Sequence, residues 1–482
     1  MRGWRLARGS WIGPAIVAGA LALLGVAAWA PGVGATPPEY TTFGREQQID
    51  HEPVVADLLR IWMIYVDQGD GLLIQLPERF AYDPDPGDGD PTRSERIDVL
   101  VDGGSNPSSE SWRALQFLEK LYPGETRTIE HAIVTHHDSD HVYGLIDVLD
   151  DPTVAVEHVY HNGLATWEPG HKAGFRRDRR PENAVYVWNS GQSRLERGMA
   201  LLEPDGERMQ RAYLIGSLAE LRTAFANGEL GIVYEPLAQA IVGKERPAPV
   251  QEFHQAGEGR PFVGQVEAGR SRPSPLGGAI GFEVLWPRDP PRRYGNWGET
   301  INGNSVTFRL TYGDFQILFT GDLNELSEED MLEHLGPARA PAELGCDVLK
   351  TPHHGSSHAF QKFFTGGGCS PVVAVASMGE QGFRSKRLGQ SNWQHPSTDV
   401  IEWLGGAHRV YHTLIHERRF RWEDLSTPAK HQAMYEYSHV LVETDGTWFR
   451  VVEIDDVPGD PRLIPTVRET RRGNGTRWIR AR

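Results

Sequence analysis

The sequence predicts an α/β fold over most of its 482 residues. From Leu59 onward, short runs rich in β-branched residues alternate with turn signals and helical stretches, which is the pattern of α/β domains. The composition, with 39% hydrophobic and 24% charged residues, is that of a globular protein, and it excludes a disordered, collagen-like or coiled-coil chain. The chain is long enough for one large α/β enzyme or for several average domains.

The first 35 residues predict an export segment. Arginines precede an uncharged stretch, Ser10 to Ala35, which ends in small residues that suit cleavage after Ala35. A cleaved signal peptide is the preferred interpretation, and an uncleaved membrane anchor is the alternative because the apolar run is long enough to span a bilayer. Both predict an extracytoplasmic protein that contacts a membrane only through an uncleaved N-terminal segment.

The predicted strands are short apolar runs bounded by Gly, Pro and Asp. The first two form a hairpin, and two later ones pair across the turn Thr311–Asp314. In chain order the predicted strands are Arg60–Val66, Gly71–Leu76, Ile97–Val101, Ala132–Thr135, Val154–Tyr160, Gly281–Trp286, Ser305–Leu310, Phe315–Phe319, Asp347–Thr351, Val372–Ser377 and Val410–Thr413. Helices are predicted at Glu110–Leu121, at Ser217–Ala226 and after Thr351.

The remaining segments divide the chain. Residues 36–58 are predicted to be a linker and residues 59–455 the main domain. An inserted subdomain is predicted at about 163–278, where Arg, Pro and Gly are mixed and no chemical motif is found. Residues 456–482 are predicted to be a basic tail, either an arm for an anionic surface or a poorly ordered end.

The net charge and the number of cysteines argue against several classes of function and of metal site. The net charge of −16 argues against nucleic-acid binding through bulk electrostatics and leaves only a local basic groove for that purpose. The two cysteines, Cys346 and Cys369, are too few for a disulfide scaffold and lack the spacing of a cysteine zinc site. Any metal must therefore be held by His, Asp or Glu. Because the two cysteines precede predicted neighbouring strands of an exported protein, we expect a disulfide between them, with two buried thiols as the alternative.

The six residues His136–His141 carry the strongest chemical signal. They contain three imidazoles and two carboxylates directly after a buried strand, and such groups would repel or desolvate one another unless a cation offset these costs. His136 and Asp138 are predicted to face one ion, whereas Asp140 and His141, at the start of the next helix, are predicted to face a second.

Two further strands end in metal-capable residues. Asp322 follows one apolar strand, and His353 with His354 follow another. Strand ends gather at one edge of an α/β sheet, so these residues can meet the first cluster although about 180 residues separate Asp322 from His141. An aspartate in this position can bridge two cations.

This order of motifs resembles the metallo-β-lactamase superfamily, and specifically the soluble hydrolase domain of ComEC-type DNA-internalisation competence proteins. The resemblance covers about Leu59 to Thr413 without the insertion. It rests on the turn Tyr65–Gly71, Asp102–Gly104, His136–His141, Asn302–Ser305, Gly321–Asp322, Pro352–Ser356 and Asn392–Pro396. Asp67 stands where the branch usually has Gly, and Asp138 stands where the superfamily has His, a replacement that the competence branch shares.

The resemblance implies an αββα sandwich with a two-metal centre. His136, Asp138 and Asp322 would hold one ion, and Asp140, His141, Asp322 and either His353 or His354 would hold the other. His161, at a strand end, is the candidate for the superfamily's separate third histidine, with His158 nearby. The carboxylate at position 138 favours manganese relative to a site made only of histidines, and zinc remains an alternative.

The predicted catalytic residues are Asp140, His354 and His395. His395 would protonate the leaving oxygen or contact a phosphate, and Asp102 would orient a ligand histidine. Gly355, Ser356 and Ser357 are predicted to bind substrate, with a serine capping the helix that follows.

These expectations predict that the protein is an exported metal-dependent hydrolase of phosphoester bonds. A nuclease that acts on extracellular DNA is one such enzyme. The alternatives are a phosphodiesterase for phosphocholine-like or other small esters, and a catalytically silent binding module. The expected partner is a phosphoester substrate, DNA included, and no obligate protein partner is implied.

Overall fold

A computed structural model of the chain describes residues 48–49, 53–66, 69–80, 96–104, 113–124, 126–167, 211–231, 233–260, 262–263, 280–289, 291–295, 297–359, 368–378, 395–404, 410–416, 435–455, 464–465 and 478–481. These residues belong to one compact unit. The export segment predicted at 1–35 and most of the linker and of the basic tail lie outside the described residues. No helix in the described part of the chain is both long and apolar enough to cross a membrane.

The described strands carry the labels β1 to β20. They are β1 Gln48–Ile49, β2 Leu59–Met63, β3 Leu72–Gln75, β4 Asp98–Val101, β5 Arg127–Val134, β6 Val154–His161, β7 Leu164–Trp167, β8 Arg211–Leu214, β9 Glu252–Gln255, β10 Ile280–Trp286, β11 Thr307–Tyr312, β12 Phe315–Phe319, β13 Val348–Lys350, β14 Val373–Ala376, β15 Val410–His412, β16 Leu414–His416, β17 Tyr435–Thr444, β18 Trp448–Asp455, β19 Ile464–Pro465 and β20 Trp478–Arg480.

The described α-helices carry the labels α1 to α7. They are α1 Arg113–Leu121, α2 Ser139–Asp150, α3 Leu218–Ala226, α4 Tyr234–Gly243, α5 Trp297–Gly303, α6 Glu325–Leu344 and α7 Thr398–Trp403. Helix α6 is interrupted at Gly336, which has a φ of 71°.

The described strands form two large mixed sheets, which confirms the predicted α/β class, and β7 and β8 pair as a separate two-stranded sheet. The larger sheet has the order β1-β20-β18-β17-β2-β3-β4-β5-β6-β9, in which β4, β5, β6 and β9 are parallel to one another. The smaller sheet has the order β10-β11-β12-β13-β14-β15, in which β12 to β15 are parallel. The predicted hairpins β2-β3 and β11-β12 are both confirmed.

Apolar side chains join the two sheets face to face and attach helices to their outer faces. Ile61 of β2 and Ile317 of β12 belong to one buried cluster between the sheets. A second cluster packs α1 to α4 on the large sheet, and a third packs α6 and α7 on the small sheet. Burying one such large apolar side chain contributes roughly 1.5 to 3 kcal/mol. The two sheets therefore hold their loops in fixed positions around the strand ends.

Part of the interval 163–278 belongs to these layers. Helix α4 shares the outer cluster of the large sheet with α2, and β9 extends that sheet parallel to β6. These elements of the predicted insertion therefore contribute to the main architecture, whereas β7 and β8 form a small sheet of their own. The described parts of the predicted basic tail also pair with it, since β19 and β20 are both antiparallel to β18.

The two cysteines lie side by side at the start of adjacent parallel strands. The Sγ atoms of Cys346 and Cys369 are 3.6 Å apart, and both side chains are buried. The predicted proximity is confirmed because β13 and β14 are parallel neighbours. The predicted disulfide is not formed, since both residues are free thiols.

Candidate metal centre

The cluster His136–His141 lies where β5 passes into α2. The strand ends at Val134 and the helix begins at Ser139, with Asp138 as its N-cap residue. The side chain of Asp138 does not cap the helix, so its carboxylate is not held by the backbone N–H groups of the first turn. His136 and His141 are fully buried.

Asp322 reaches the same place from the small sheet. It follows β12 after Gly321, which has a φ of 51° and would place a Cβ atom 2.7 Å from that of Ser305. The backbone N–H of Asp322 donates to the hydroxyl of Ser305 at 3.0 Å. This turn needs glycine at position 321 both for its backbone conformation and for its space.

His353 and His354 follow β13 in an unusual backbone conformation. Their φ angles are 44° and 55°, and Asp102, after β4, has a φ of 53°. These are the described non-glycine residues with a left-handed backbone. Such a conformation costs on the order of 1 to 3 kcal/mol for each residue and persists only where its surroundings enforce it. All three residues lie at the predicted site, which indicates that the site imposes their conformation.

Three imidazoles surround the carboxylate of Asp322. The Nε2 atoms of His141, His354 and His353 lie 3.3, 3.4 and 3.9 Å from its Oδ2 atom. His136 completes the arrangement, because its ring centroid is 4.0 Å from that of His141. The structure therefore brings together residues from three strand ends in two sheets.

The donor atoms form overlapping groups, each with all its atoms within 4.8 Å of one another. One group contains His136, His141 and Asp322, and another contains Asp140, His141 and His354. Overlap of this kind suits bound cations, because carboxylate and imidazole atoms that would otherwise compete can then share a positive charge. The groups can hold a metal ion.

Hydrogen bonds inside the protein orient the rings of His136 and His141. Nδ1 of His136 lies 3.0 Å from Oγ1 of Thr135 and 3.3 Å from Oγ of Ser305. Nδ1 of His141 lies 2.9 Å from Oδ2 of Asp102. Each ring is therefore held through Nδ1, and its Nε2 atom faces the centre. This is the arrangement that the sequence predicts for Asp102.

His354 is held in the same way. Its Nδ1 atom lies 3.1 Å from the carbonyl oxygen of Ser377 and 3.4 Å from Oδ1 of Asp70. Its Nε2 atom faces Asp322 and Asp140, the latter at 3.9 Å. His353 and His354 are both near Asp322, but His354 is the more buried and the closer of the two.

Several atoms that face the centre lie close to an opposite charge but make no hydrogen bond. Among the described residues, no hydrogen bond reaches the buried Nε2 atoms of His136, His141 and His354 or Oδ1 of Asp322. Leaving one buried polar atom unsatisfied costs about 1 to 3 kcal/mol. Four such atoms at one place fit a bound metal cation. A metal ion can accept lone pairs from imidazole nitrogen and carboxylate oxygen at the same time.

The charges of the cluster perturb one another strongly. Burial would raise the pKa of Asp322, but the nearby His354 and His141 outweigh it and hold this pKa well below its usual value. Burial would lower the pKa of His354, but Asp322 and Asp70 outweigh it and raise this pKa to about 9. The carboxylate is therefore ionised and balanced by imidazolium in the metal-free protein, and a cation would replace these protons.

Asp138 lies at the rim of the centre. Its Oδ2 atom is 3.9 Å from Nε2 of His136. Partial burial and the neighbouring charge of Asp140 raise the pKa of Asp138 to about 7. The two carboxylates repel each other in the absence of a cation.

Lys350 and Asp70 are central residues that the sequence does not single out as site residues. They form a fully buried ion pair, and the ammonium also donates to the carbonyl oxygen of Gly321 at 3.1 Å. Burial would raise the pKa of Asp70, but Lys350 outweighs it and the net shift is downward. A lysine at the end of the buried strand Val348–Lys350 signals that Lys350 has a buried partner, because a lysine is almost never buried without one, but it does not reveal which residue the partner is.

His161 lies apart from these groups. It is fully buried, its ring centroid is 6.1 Å from that of His137 and 5.2 Å from that of Tyr234 in α4, and it belongs to none of the described donor groups. Burial lowers its pKa well below the usual value. The structure therefore does not bring His161 to the other predicted ligands.

The predicted substrate-binding and proton-transfer residues flank the centre. The ring of His395 lies 5.8 Å from that of His353, between centroids. Gly355 has a φ of 84°, and a Cβ atom there would lie 2.6 Å from Cβ of Pro396. The close approach that this glycine permits is therefore to Pro396.

The two serines differ in exposure. Ser356 is buried and its hydroxyl accepts from the N–H of His358 at 3.3 Å, whereas Ser357 is exposed. Residues 360–367, which follow these serines after Ala359, lie outside the described residues, so the helix expected there stays a prediction.

Comparison of the sequence with protein-family models and with curated proteins finds no match.

Proposed function

We propose that the protein is a metal-dependent hydrolase of phosphoester bonds, built as a metallo-β-lactamase-like αββα sandwich. The observation that carries this proposal is the set of buried Nε2 atoms of His136, His141 and His354 around Asp322, none of which makes a hydrogen bond to a described residue. The two face-to-face sheets with helices outside support the proposed fold.

The proposed centre holds two divalent cations. His136, Asp138 and Asp322 would bind one ion, and Asp140, His141, Asp322 and His354 would bind the other. Two cations supply a hydroxide nucleophile near neutral pH and counter-charge for a phosphoryl oxygen. His354 replaces His353 as the preferred ligand because it is closer to Asp322 and Asp140.

The surrounding residues would hold this geometry. Asp102 fixes the ring of His141 through Nδ1, and the Lys350–Asp70 pair fixes His354 from the opposite side. His395 would contact a phosphate oxygen or protonate the leaving oxygen. Gly355, Ser356 and Ser357 would line the substrate side of the turn.

Manganese is the proposed native metal, and zinc is the alternative. Three carboxylates, Asp138, Asp140 and Asp322, contribute to the proposed ligand set, and carboxylate oxygens favour hard ions such as manganese. Histidine ligands suit both metals.

The net charge distinguishes the proposed substrates. A nuclease acting on extracellular DNA follows from the resemblance to the competence proteins and from the proposed export. The charge of −16 opposes the approach of a polyanion, so this observation favours a small phosphodiester as the second candidate. A silent binding module is a third candidate, and the complete donor set argues against it.

One experiment tests the proposal. Purified protein, stripped with a chelator, would be supplied with manganese or zinc and assayed on bis(p-nitrophenyl) phosphate, single-stranded DNA and double-stranded DNA. We expect metal-dependent hydrolysis of at least one substrate. Stoichiometric metal without hydrolysis would support a binding module, and protein that binds no metal would contradict the centre itself.

A further inference from the structure

A second group of metal-capable side chains lies at the edge of the large sheet. It contains His158 on β6 with Glu252 and His254 on β9. It shares no residue with the donor groups around Asp322. The proposed phosphoester chemistry does not use it.

The strand register brings these residues together. His158 is paired with Glu252 between the two parallel strands, and His254 lies two residues farther along β9. Side chains two residues apart on a strand point to the same face, as do those of paired residues on neighbouring strands. All three side chains therefore project from one face of the sheet at its edge.

The donor atoms have the spacing of zinc ligands. Nε2 of His254 lies 3.4 Å from Nδ1 of His158 and 3.2 Å from Oε2 of Glu252, and the third distance is 3.8 Å. Zinc binds imidazole nitrogen at about 2.0 to 2.1 Å, which in a tetrahedron separates the ligand atoms by about 3.3 Å. The three observed distances are close to that value without any movement of the backbone.

Aromatic neighbours hold both imidazoles in place. His131 of β5 stacks on His158 with 5.4 Å between ring centroids, and Tyr160 stacks on His254 at 4.9 Å. Rings packed in this way lose rotational freedom before a ligand binds, which lowers the entropic cost of binding.

The group is also open to solvent. The side chain of His158 is 7% exposed, whereas those of His254 and Glu252 are 20% and 35% exposed. A cation can enter from this side, and water can fill a fourth position, as in zinc sites with three protein ligands.

We propose that His158, Glu252 and His254 form a second metal site, selective for zinc, that ties the edge strand β9 to β6. Two imidazoles and one carboxylate suit zinc better than manganese, which prefers oxygen ligands. The strand β9 is short and terminates the described order of the large sheet, so a bound ion would strengthen its attachment.

Zinc stoichiometry in the full-length protein tests this site. The variants are His254→Ala and the isosteric Glu252→Gln, each also combined with Asp322→Asn to weaken the main centre. His334→Ala is the matched control, because His334 pairs with Glu258 at 2.9 Å and belongs to no described group of three donors. Metal would be counted by plasma mass spectrometry after dialysis against zinc, and folding would be checked by circular dichroism.

We expect His254→Ala and Glu252→Gln to bind one zinc ion fewer than the His334→Ala control, or to bind it at least 100-fold more weakly. Zinc should also raise the Tm of Asp322→Asn, and this rise should disappear when His254→Ala is added. Folded His254→Ala and Glu252→Gln proteins with the zinc content and affinity of the control would overturn the proposal. Because neither the edge-strand variants nor the His334→Ala control in α6 changes a residue of the proposed main centre, their comparison does not depend on whether that centre is correct.

Discussion

The imidazole of His141 and the carboxylate of Asp102 form a fully buried pair, with 2.9 Å between Nδ1 and Oδ2. The carboxylate is itself fixed by the N–H and hydroxyl of Thr135, at 2.8 and 2.6 Å. With Nδ1–H donating to Asp102, Nε2 points toward Asp322, 3.3 Å away, and its lone pair becomes available when a cation displaces the second proton of the ring. The tautomer that binds a metal is therefore set from the far side of the ring.

Replacing Asp102 by Asn should weaken metal binding without removing a ligand. The amide keeps the volume of the carboxylate but can present an N–H to Nδ1, which places the proton of His141 on Nε2. We expect metal affinity to fall about 10- to 100-fold, measured by competition with a chromophoric chelator. Asp98→Asn, which changes another buried aspartate that bonds to Tyr122, should leave the affinity unchanged. Equal affinities of the two variants would contradict this role of Asp102.

Replacing Asp322 by Asn should remove metal from the proposed centre. The amide offers one neutral acceptor where the carboxylate faces three imidazoles, so a proposed metal ligand would be lost. We expect hydrolysis of bis(p-nitrophenyl) phosphate to fall by at least about 10³-fold, or about 4 kcal/mol in the barrier, with an unchanged circular dichroism spectrum. The exposed Asp314→Asn should behave like the unmodified protein. Full activity of folded Asp322→Asn would refute the assignment.

Replacing Lys350 by Met should destabilise the metal-free protein. The substitution leaves the carboxylate of Asp70 buried without its ammonium partner, and breaking a buried pair in this way costs about 3 to 5 kcal/mol. Adding Asp70→Asn removes the unpaired buried charge, so the double variant should regain much of the lost free energy of unfolding. Urea unfolding in a chelator would give the double-mutant cycle. Strictly additive effects would show that the two residues do not depend on each other.

Glu229 should make stability depend on pH. Burial, partly offset by a hydrogen bond from Asn227, raises its pKa from 4.5 to about 7. Between these values the folded protein keeps a proton that the unfolded chain has released, so stability falls as pH rises through this range, by up to about 1.4 kcal/mol per pH unit.

The variant Glu229→Gln removes this effect because the amide does not ionise. It should be more stable than the unmodified protein at pH 8 and similar to it at pH 5, as measured by urea unfolding at both values. The exposed Glu245→Gln is the control and should show no such difference. A Glu229→Gln protein whose stability relative to the unmodified protein is the same at pH 5 and pH 8 would contradict the shift.

Cys346 and Cys369 should be protected in the folded protein. Burial, followed by the hydrogen bond to Cys369, raises the pKa of the Cys346 thiol well above its usual value, and only the thiolate reacts quickly. We expect no alkylation by iodoacetamide in buffer and two labels per chain in urea without a reductant, counted by mass spectrometry. Absence of label in urea would instead demonstrate the disulfide that the sequence suggests.

The convergence of the main site could be predicted because strand ends follow simple rules. His136, Asp322 and His354 each come directly after a buried strand that lies parallel to a neighbour, and the carboxyl ends of such strands meet at one edge. The structure confirms that these residues lie together.

The position of His161 could not be predicted in the same way. It also ends a parallel strand, but its ring packs against Tyr234 of α4. Side chains alternate between the faces of a strand, and a change of one position turns the last residue away from the site. The sequence pattern does not show which way the last residue of β6 points, because both faces of this strand are largely buried.

Contacts between residues or strands far apart in the chain could not be predicted from the sequence either. Lys350 meets Asp70, 280 positions away, and β9 joins β6 after a connection of about 90 residues. Nothing local marks these partners, because residue pattern reports the environment of one element and not the identity of its neighbour.

The proposed ligands come from both sheets, and this has a consequence for how the molecule matures. His136 and His141 follow the large sheet, whereas Asp322 and His354 follow the small one, so neither sheet alone offers a complete coordination sphere. Metal binding would then occur only after both sheets have folded and packed together. The time course of ion uptake during refolding would then measure the step in which the two sheets pack together.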